Sequence, residues 1–178
     1  MYRKMLIPFY ILLFLLFGNG FANAEEVSPM NNQRLESLIK NLDPDFKGGN
    51  GQWQFHISTL TLTVITDESH NRMRVMIPIV ESEKLSKELL YRMMQANFDS
   101  ALDARYAVAK GVLWSTFIHP LGSLSDEEFL LGVGQTINLV GTFGGAFSSG
   151  LLNFGGGDSE GLQERELLDE ILQKGQAI

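Results

Sequence analysis

The chain contains no cysteine among its 178 residues. Disulfide bonds are therefore excluded, and the burial of apolar side chains has to stabilise the fold. The same absence excludes a lipoprotein, because the lipid of such proteins is attached to a cysteine. Both exclusions are informative because other features of the sequence indicate that the protein is exported.

Basic residues are also scarce. Lysine and arginine number 14 against 21 aspartate and glutamate residues, which gives a formal net charge of −7 at pH 7. The basic residues are dispersed along the sequence, whereas proteins that bind nucleic acids or anionic membrane surfaces usually concentrate them. We therefore expect no nucleic-acid partner.

The motifs of common enzyme classes are missing as well. The chain has no H-E-x-x-H, no G-x-x-x-x-G-K-[ST] and no G-x-S-x-G. The segment DPDFKGGNGQWQ resembles a calcium loop, but Lys47 replaces an oxygen ligand and Gln54 replaces the bidentate glutamate. The spacing of the three histidines (His56, His70 and His119) does not require them to converge on a metal. We expect no catalytic residue, no cofactor and no bound metal.

The N-terminus has the three parts of a secretory signal peptide. Arg3 and Lys4 precede an apolar run over Met5–Phe17, and the small residues Ala22 and Ala24 suit signal peptidase. An uncleaved anchor is the alternative, but the apolar run is shorter than a membrane span needs. We expect residues 1–24 to be a signal peptide that is cleaved after Ala24. The mature chain is then periplasmic or secreted.

Apolar periodicity divides the mature chain into helices and strands. Helical spacing in NNQRLESLIKNL is followed by three alternating segments, WQFHI, LTLTVIT and MRVMIPIV, whose short connections predict an antiparallel meander. The best helix is ESEKLSKELLYRMMQANF, with Ser82 as its expected cap and Asn97 at its end. Two more strands, ARYAVAK and VLWSTFIHP, flank Gly111, and a capping box in SDEEF opens another helix. The result is an α+β fold with a five-stranded antiparallel sheet and packed helices, in the order α-β-β-β-α-β-β-α.

The segment 129–157 has no charged side chain and holds nine of the 18 glycines. The capping box before it, and Gln135 and Asn138 within it, favour a helix packed on the sheet from 126 to about 142. Small residues at every fourth position (Gly141, Gly145 and Ser149) leave membrane insertion as an alternative.

These observations divide the chain into four parts. The signal peptide is followed by an α+β domain over 25–143. A glycine-rich linker is expected over 144–158. The acidic segment 159–178 has apolar residues at helical spacing, which predicts a C-terminal amphipathic helix.

The order of elements in LLYRMMQANFDSALDARYAVAKGVLWSTFIHPLGSLSDEEFLLGVGQTI supports a resemblance. An apolar helix ending at Asn97 precedes a strand, Gly111, a second strand, a loop rich in Leu and Ser, and a helix. Over residues 33–143 this resembles the type III secretion chaperone-like fold, including the YbjN-like (bacterial sensory transduction regulator) families. The resemblance implies a protein-binding, often dimeric fold without catalytic residues. The signal peptide, the glycine-rich extension and the acidic final helix depart from it.

Together these features predict a non-enzymatic, exported protein-binding module of the bacterial envelope, chaperone-like or regulatory. Its expected partner is a protein or peptide, including a second copy in a homodimer. The large side chains Trp53, Phe55, Trp114 and Phe117 are expected to contact the partner, with core packing as the alternative. Two other functions stay open. One is a membrane-associated envelope protein that uses 129–153, and the other is a small hydrolase or metal-dependent enzyme.

Overall fold

The computed structural model of the chain describes residues 28–149 and 170–175. The expected signal peptide and most of the expected linker and final helix lie outside these ranges. The elements are, in chain order, α1 (Asn32–Leu42), β1 (Lys47–Gly49), β2 (Gln52–Ile57), β3 (Leu60–Asp67), β4 (Arg72–Glu81), a 3-10 helix (Ser82–Lys84), α2 (Lys87–Asp99), β5 (Arg105–Ala109), β6 (Val112–His119) and α3 (Asp126–Gly141). The predicted α+β class is confirmed.

The sheet has six strands rather than the expected five, in the spatial order β1-β2-β3-β4-β6-β5, and all neighbours are antiparallel. The additional strand, β1, lies between the first predicted helix and WQFHI, where we predicted no strand. Asn50 and Gly51 join β1 to β2 with φ angles of 51° and 91°. This backbone is typical of the two-residue hairpin turn that an Asn-Gly pair favours.

Alternation along the strands gives the sheet an inner and an outer face. The inner face carries the core residues of the strands, among them Trp53, Phe55, Leu62, Val64, Met73, Val75, Ile77, Leu113 and Phe117. Helices α1 and α3 cover this face and contribute Leu35, Leu38, Ile39, Phe129, Leu130 and Val133 to the same core. Burial of these side chains takes the place of the missing disulfides.

Helix α3 confirms the expectation for residues 126 to about 142. Ser125 and Glu128 form the expected capping box, with Ser125 Oγ accepting from Glu128 N at 3.1 Å. Ten of the sixteen residues of α3 are buried. In the part of the chain that the structure describes, no helix has the length and apolarity needed to cross a bilayer.

Gly132 on α3 marks a close approach between this helix and the sheet. A Cβ atom placed on Gly132 would lie 2.5 Å from ring carbons of Phe117 on β6. We expect Gly132→Ala to destabilise the protein by about 1–2 kcal/mol, because overpacking outweighs the better helix propensity of alanine. Urea denaturation followed by circular dichroism measures the change. Gly141→Ala, whose Cβ meets nothing within 4 Å, is the control. Equal stabilities of the two variants would contradict the close packing.

The second expected helix starts later than its sequence suggested. Ser82 opens a 3-10 helix instead, and Leu85 returns to an extended backbone with φ −90° and ψ 124°. Helix α2 then begins at Lys87, where Ser86 accepts a hydrogen bond from Leu89 N at 3.1 Å. The predicted cap Ser82 is therefore wrong, because a second serine four residues later occupies that role.

Residues 170–175 are helical and pack against α1 and α3. Ile171 is 2% exposed, and the carbonyl oxygen of Gly175 accepts from Asn41 Nδ2 at 3.4 Å. Gly175 also lies so close to Leu130 that a side chain there would collide with it. This short segment belongs to the expected C-terminal helix, and it docks on the domain.

Candidate functional site: the outer face of helix α2

Three of the four aromatic residues expected to meet a partner are in the core. Trp53 and Phe55 have no exposed surface, and Phe117 is 4% exposed. Trp114 lies half-buried on the outer face of the sheet, where its Nε1 donates to the carbonyl oxygen of Ala109 at 3.1 Å. The structure therefore brings Trp53, Phe55 and Phe117 together inside the protein and leaves Trp114 at the surface.

The largest exposed apolar side chains cluster instead on α2. Phe98 is 89% exposed, Met94 68% and Tyr91 67%. Leu90 on the same helix and Leu102 just beyond it are also exposed. Leu90, Met94 and Phe98 follow one another at intervals of four residues, so they share one helix face. We call these five residues the α2 surface. Polar residues flank it, namely Lys87, Glu88, Gln95 and Asp99.

The opposite side of α2 is firmly attached to the domain. Met93 and Ala96 are buried. Arg92 places its guanidinium 5.1 Å from the centre of the Phe147 ring, and Ser100 Oγ donates to the Phe147 carbonyl at 2.7 Å. The α2 surface is therefore exposed on a helix that these contacts hold against the domain.

An aromatic cluster on the buried side of α2 stabilises this attachment. Tyr106 on β5 contacts the rings of Phe143 and Phe147, with centroid distances of 6.1 and 6.2 Å. Burial raises the pKa of Tyr106 to about 12. Its hydroxyl group therefore stays protonated in neutral solution, and it donates to the Leu139 carbonyl at 2.8 Å. The residues that follow α3 thus connect α2, β5 and the end of α3.

Asn97 connects α2 to the edge of the sheet. Its Nδ2 donates to the Tyr106 carbonyl at 3.0 Å, and its Oδ1 accepts from Tyr106 N at 2.8 Å. These two backbone groups belong to β5, which is an edge strand of the sheet within the part of the chain that the structure describes. The side-chain amide of Asn97 makes the two hydrogen bonds that a neighbouring strand would make. Sequence placed Asn97 at the helix end, but its hydrogen bonds to β5 depend on the tertiary fold.

The titratable residues form no comparable centre. His56 lies beside Asp43, His70 beside Asp67, and His119 at the end of β6. The pKa of Asp43 is lowered, chiefly because its carboxylate accepts a hydrogen bond from His56 N. Within residues 28–149 and 170–175, no three histidine, aspartate or glutamate side chains are grouped as a metal site would require.

No protein-family model and no curated protein sequence matches the chain. Solved structures with a similar backbone include a chain of the HopA1–SchA chaperone–effector complex, with a TM-score of 0.49 and 12% identity. That match covers 63% of this chain and 94% of the other. A chain of the ExsC–ExsE complex has a TM-score of 0.45 and 12% identity, over 61% of this chain and 90% of the other. At such scores the likeness carries no information about partner or activity.

Proposed function

We propose that the protein is a non-enzymatic, exported protein-binding module of the bacterial envelope, and that it binds through the α2 surface. The observation that carries this proposal is the 89% exposure of Phe98 beside Met94 and Tyr91 on one fixed helix. Monomeric proteins seldom leave such a contiguous apolar patch in water, and patches with a polar rim mark interaction sites.

The spacing of the exposed residues favours a helix as the contacting element of the partner. Leu90, Met94 and Phe98 form a single i, i+4 ridge, and a ridge of this kind packs into the groove of another helix. A second copy of this chain supplies such a helix, and the contact can then be symmetric about a twofold axis. The proposal therefore includes a homodimer through α2 as one form of the assembly.

Burial of Met94 and Phe98 is expected to supply much of the affinity. A fully buried side chain of this size contributes about 1.5–3 kcal/mol relative to an exposed one. The double variant Met94→Glu/Phe98→Glu is therefore expected to weaken binding by about 100-fold or more. Ile65→Glu also places a charge on an exposed apolar side chain, but on β3, and it is expected to leave this binding unchanged. Unfolding curves of the two variants check that both remain folded.

Site-specific photo-crosslinking in cells tests the proposal. A photoreactive amino acid at position 98 is expected to give protein adducts, of a second copy or of another protein, and Met94→Glu in the same chain is expected to abolish them. The same photoreactive amino acid at position 70, where the His70 side chain is 78% exposed, is the control. Adducts that are no more abundant from position 98 than from position 70 would overturn the proposal.

A further inference from the structure

The outer face of the sheet is a second surface, distinct from α2. Helices α1 and α3 pack on the inner face, and α2 contacts the edge strand β5. The outer face carries exposed Ile65 (39%) and Ile118 (50%), with Met76 and Trp114 half-buried between polar residues. It is therefore a mixed apolar and polar surface.

Folding concentrates positive charge on this face, although the chain as a whole carries 21 acidic and 14 basic residues. Exposed Lys47 lies on β1, Arg74 on the central strand β4, and Arg105 on β5. These residues are far apart in sequence, so the charge pattern along the chain does not reveal the patch. These three cationic residues are distributed over the outer face from one edge of the sheet to the other.

The neighbouring carboxylates on this face are already engaged. Asp67 accepts from Ser69 Oγ at 2.6 Å and lies 2.7 Å from His70 Nδ1, and these hydrogen bonds lower the pKa of Asp67 to about 2. Glu81 at the end of β4 lies 3.0 Å from Lys84 Nζ. Among the residues that the structure describes, neither Arg74 nor Arg105 forms an ion pair. Arg105 donates one hydrogen bond to the Ala101 carbonyl at 3.1 Å, and the other N–H groups of its guanidinium can reach a carboxylate of another chain.

The cross-strand register places apolar residues beside the arginines. Arg74 is paired with Ile65 on one side and with Ile118 on the other. Arg105 is paired with Thr116, which in turn is paired with Met76. Arg74 therefore has an apolar residue on either side, and in the neighbouring row Met76 lies between Lys47 and Arg105.

A recess at the β1 end adds to this surface. Lys47, Gln54 and Thr63 contribute to the lining of this recess, which has a volume of about 380 Å³. The recess can hold a side chain of a bound segment.

We propose that the outer face of the sheet binds an acidic polypeptide segment in which apolar residues separate the carboxylates. Six strands at about 4.8 Å spacing place Lys47 and Arg105 about 24 Å apart, a distance that about eight extended residues span. Charge complementarity across a flat surface gives specificity and a salt-dependent affinity. Lys47, Arg74 and Arg105 all lie outside the α2 surface.

Fluorescence anisotropy with two synthetic peptides tests this proposal. Each labelled 12-residue probe has four leucines separated by serines and four charged residues, which are glutamate in one probe and lysine in the other. The mature chain is expected to bind the glutamate probe at least tenfold more tightly than the lysine probe at 50 mM salt. Binding is expected to weaken at least tenfold at 500 mM salt.

Charge-reversal variants locate the binding. Arg74→Glu/Arg105→Glu is expected to lower the affinity for the glutamate probe at least tenfold. The milder Arg74→Gln/Arg105→Gln is expected to lower this affinity less. The matched control Lys40→Glu/Lys174→Glu changes the net charge equally at exposed positions on helices, and it is expected to change the affinity for the glutamate probe by less than twofold. An equal loss in the control, equal binding of both probes, or no binding of the glutamate probe at 1 mM would overturn the proposal. So would a finding that the arginines are needed only for binding to phosphatidylglycerol vesicles.

Discussion

Replacing Trp53 with alanine is expected to lower the free energy of unfolding by about 3–5 kcal/mol. The side chain has no exposed surface and lies in the core beneath α1. Its Nε1 also donates to Glu36 Oε2 at 2.8 Å, so the substitution removes both apolar packing and a hydrogen bond to a carboxylate. Few other single substitutions in this chain are expected to have so large an effect.

Trp114→Ala is the matched control for this prediction. The indole of Trp114 is half-buried on the outer face of the sheet, so its removal is expected to change the stability by about 1 kcal/mol or less. Urea denaturation followed by circular dichroism compares the two variants without depending on tryptophan fluorescence. If Trp114→Ala destabilises the protein as much as Trp53→Ala, the assignment of inner and outer faces is wrong.

Asn97→Ala is expected to destabilise the protein by about 2–4 kcal/mol and to promote aggregation. It leaves the backbone N–H and carbonyl groups of Tyr106 without their partner, and each unsatisfied group costs about 1–3 kcal/mol when it is kept from water. It also uncovers the edge strand β5, and an open edge can pair with the strand of another molecule.

Gln95→Ala is the control for the Asn97 substitution, because it also removes a side-chain amide from α2 but at an exposed position. Its expected effect is within about 0.5 kcal/mol. Thermal unfolding gives the stabilities, and light scattering during incubation near the transition gives the rates of aggregation. A stable, non-aggregating Asn97→Ala variant would show that the amide is not what protects β5.

Much of the fold follows from patterns that can be read in the sequence. Alternation in WQFHI and LTLTVIT reflects strands with one face in the core, and the SDEEF capping box defined the start of α3. Strand β1 was missed although Asn50-Gly51 is a strong hairpin signal, because the residues of Lys47–Gly49 offer no apolar alternation. For this strand the Asn-Gly turn is a better predictor than apolar alternation.

The candidate site was harder to predict, because it depends on where α2 lies. The sequence places Met93 and Ala96 on the apolar stripe of this helix, with Leu90 and Met94 beside it. The position of α2 beside β5 buries Met93 and leaves Met94 and Phe98 facing outward, and the sequence alone does not determine that position. We expected Trp53 and Phe55 to contact a partner because their side chains are large, but large aromatic side chains mostly pack in cores.

Oxidative footprinting in intact cells most directly tests the central claim, that another polypeptide covers the α2 surface. Hydroxyl radicals are expected to modify Met94 and Phe98 several-fold less in intact cells than in the dilute purified chain. His70 is expected to react equally in both, and Met93, at 3% exposure, to stay protected in both. Equal modification of Met94 and Phe98 in cells and in dilute solution would contradict the account.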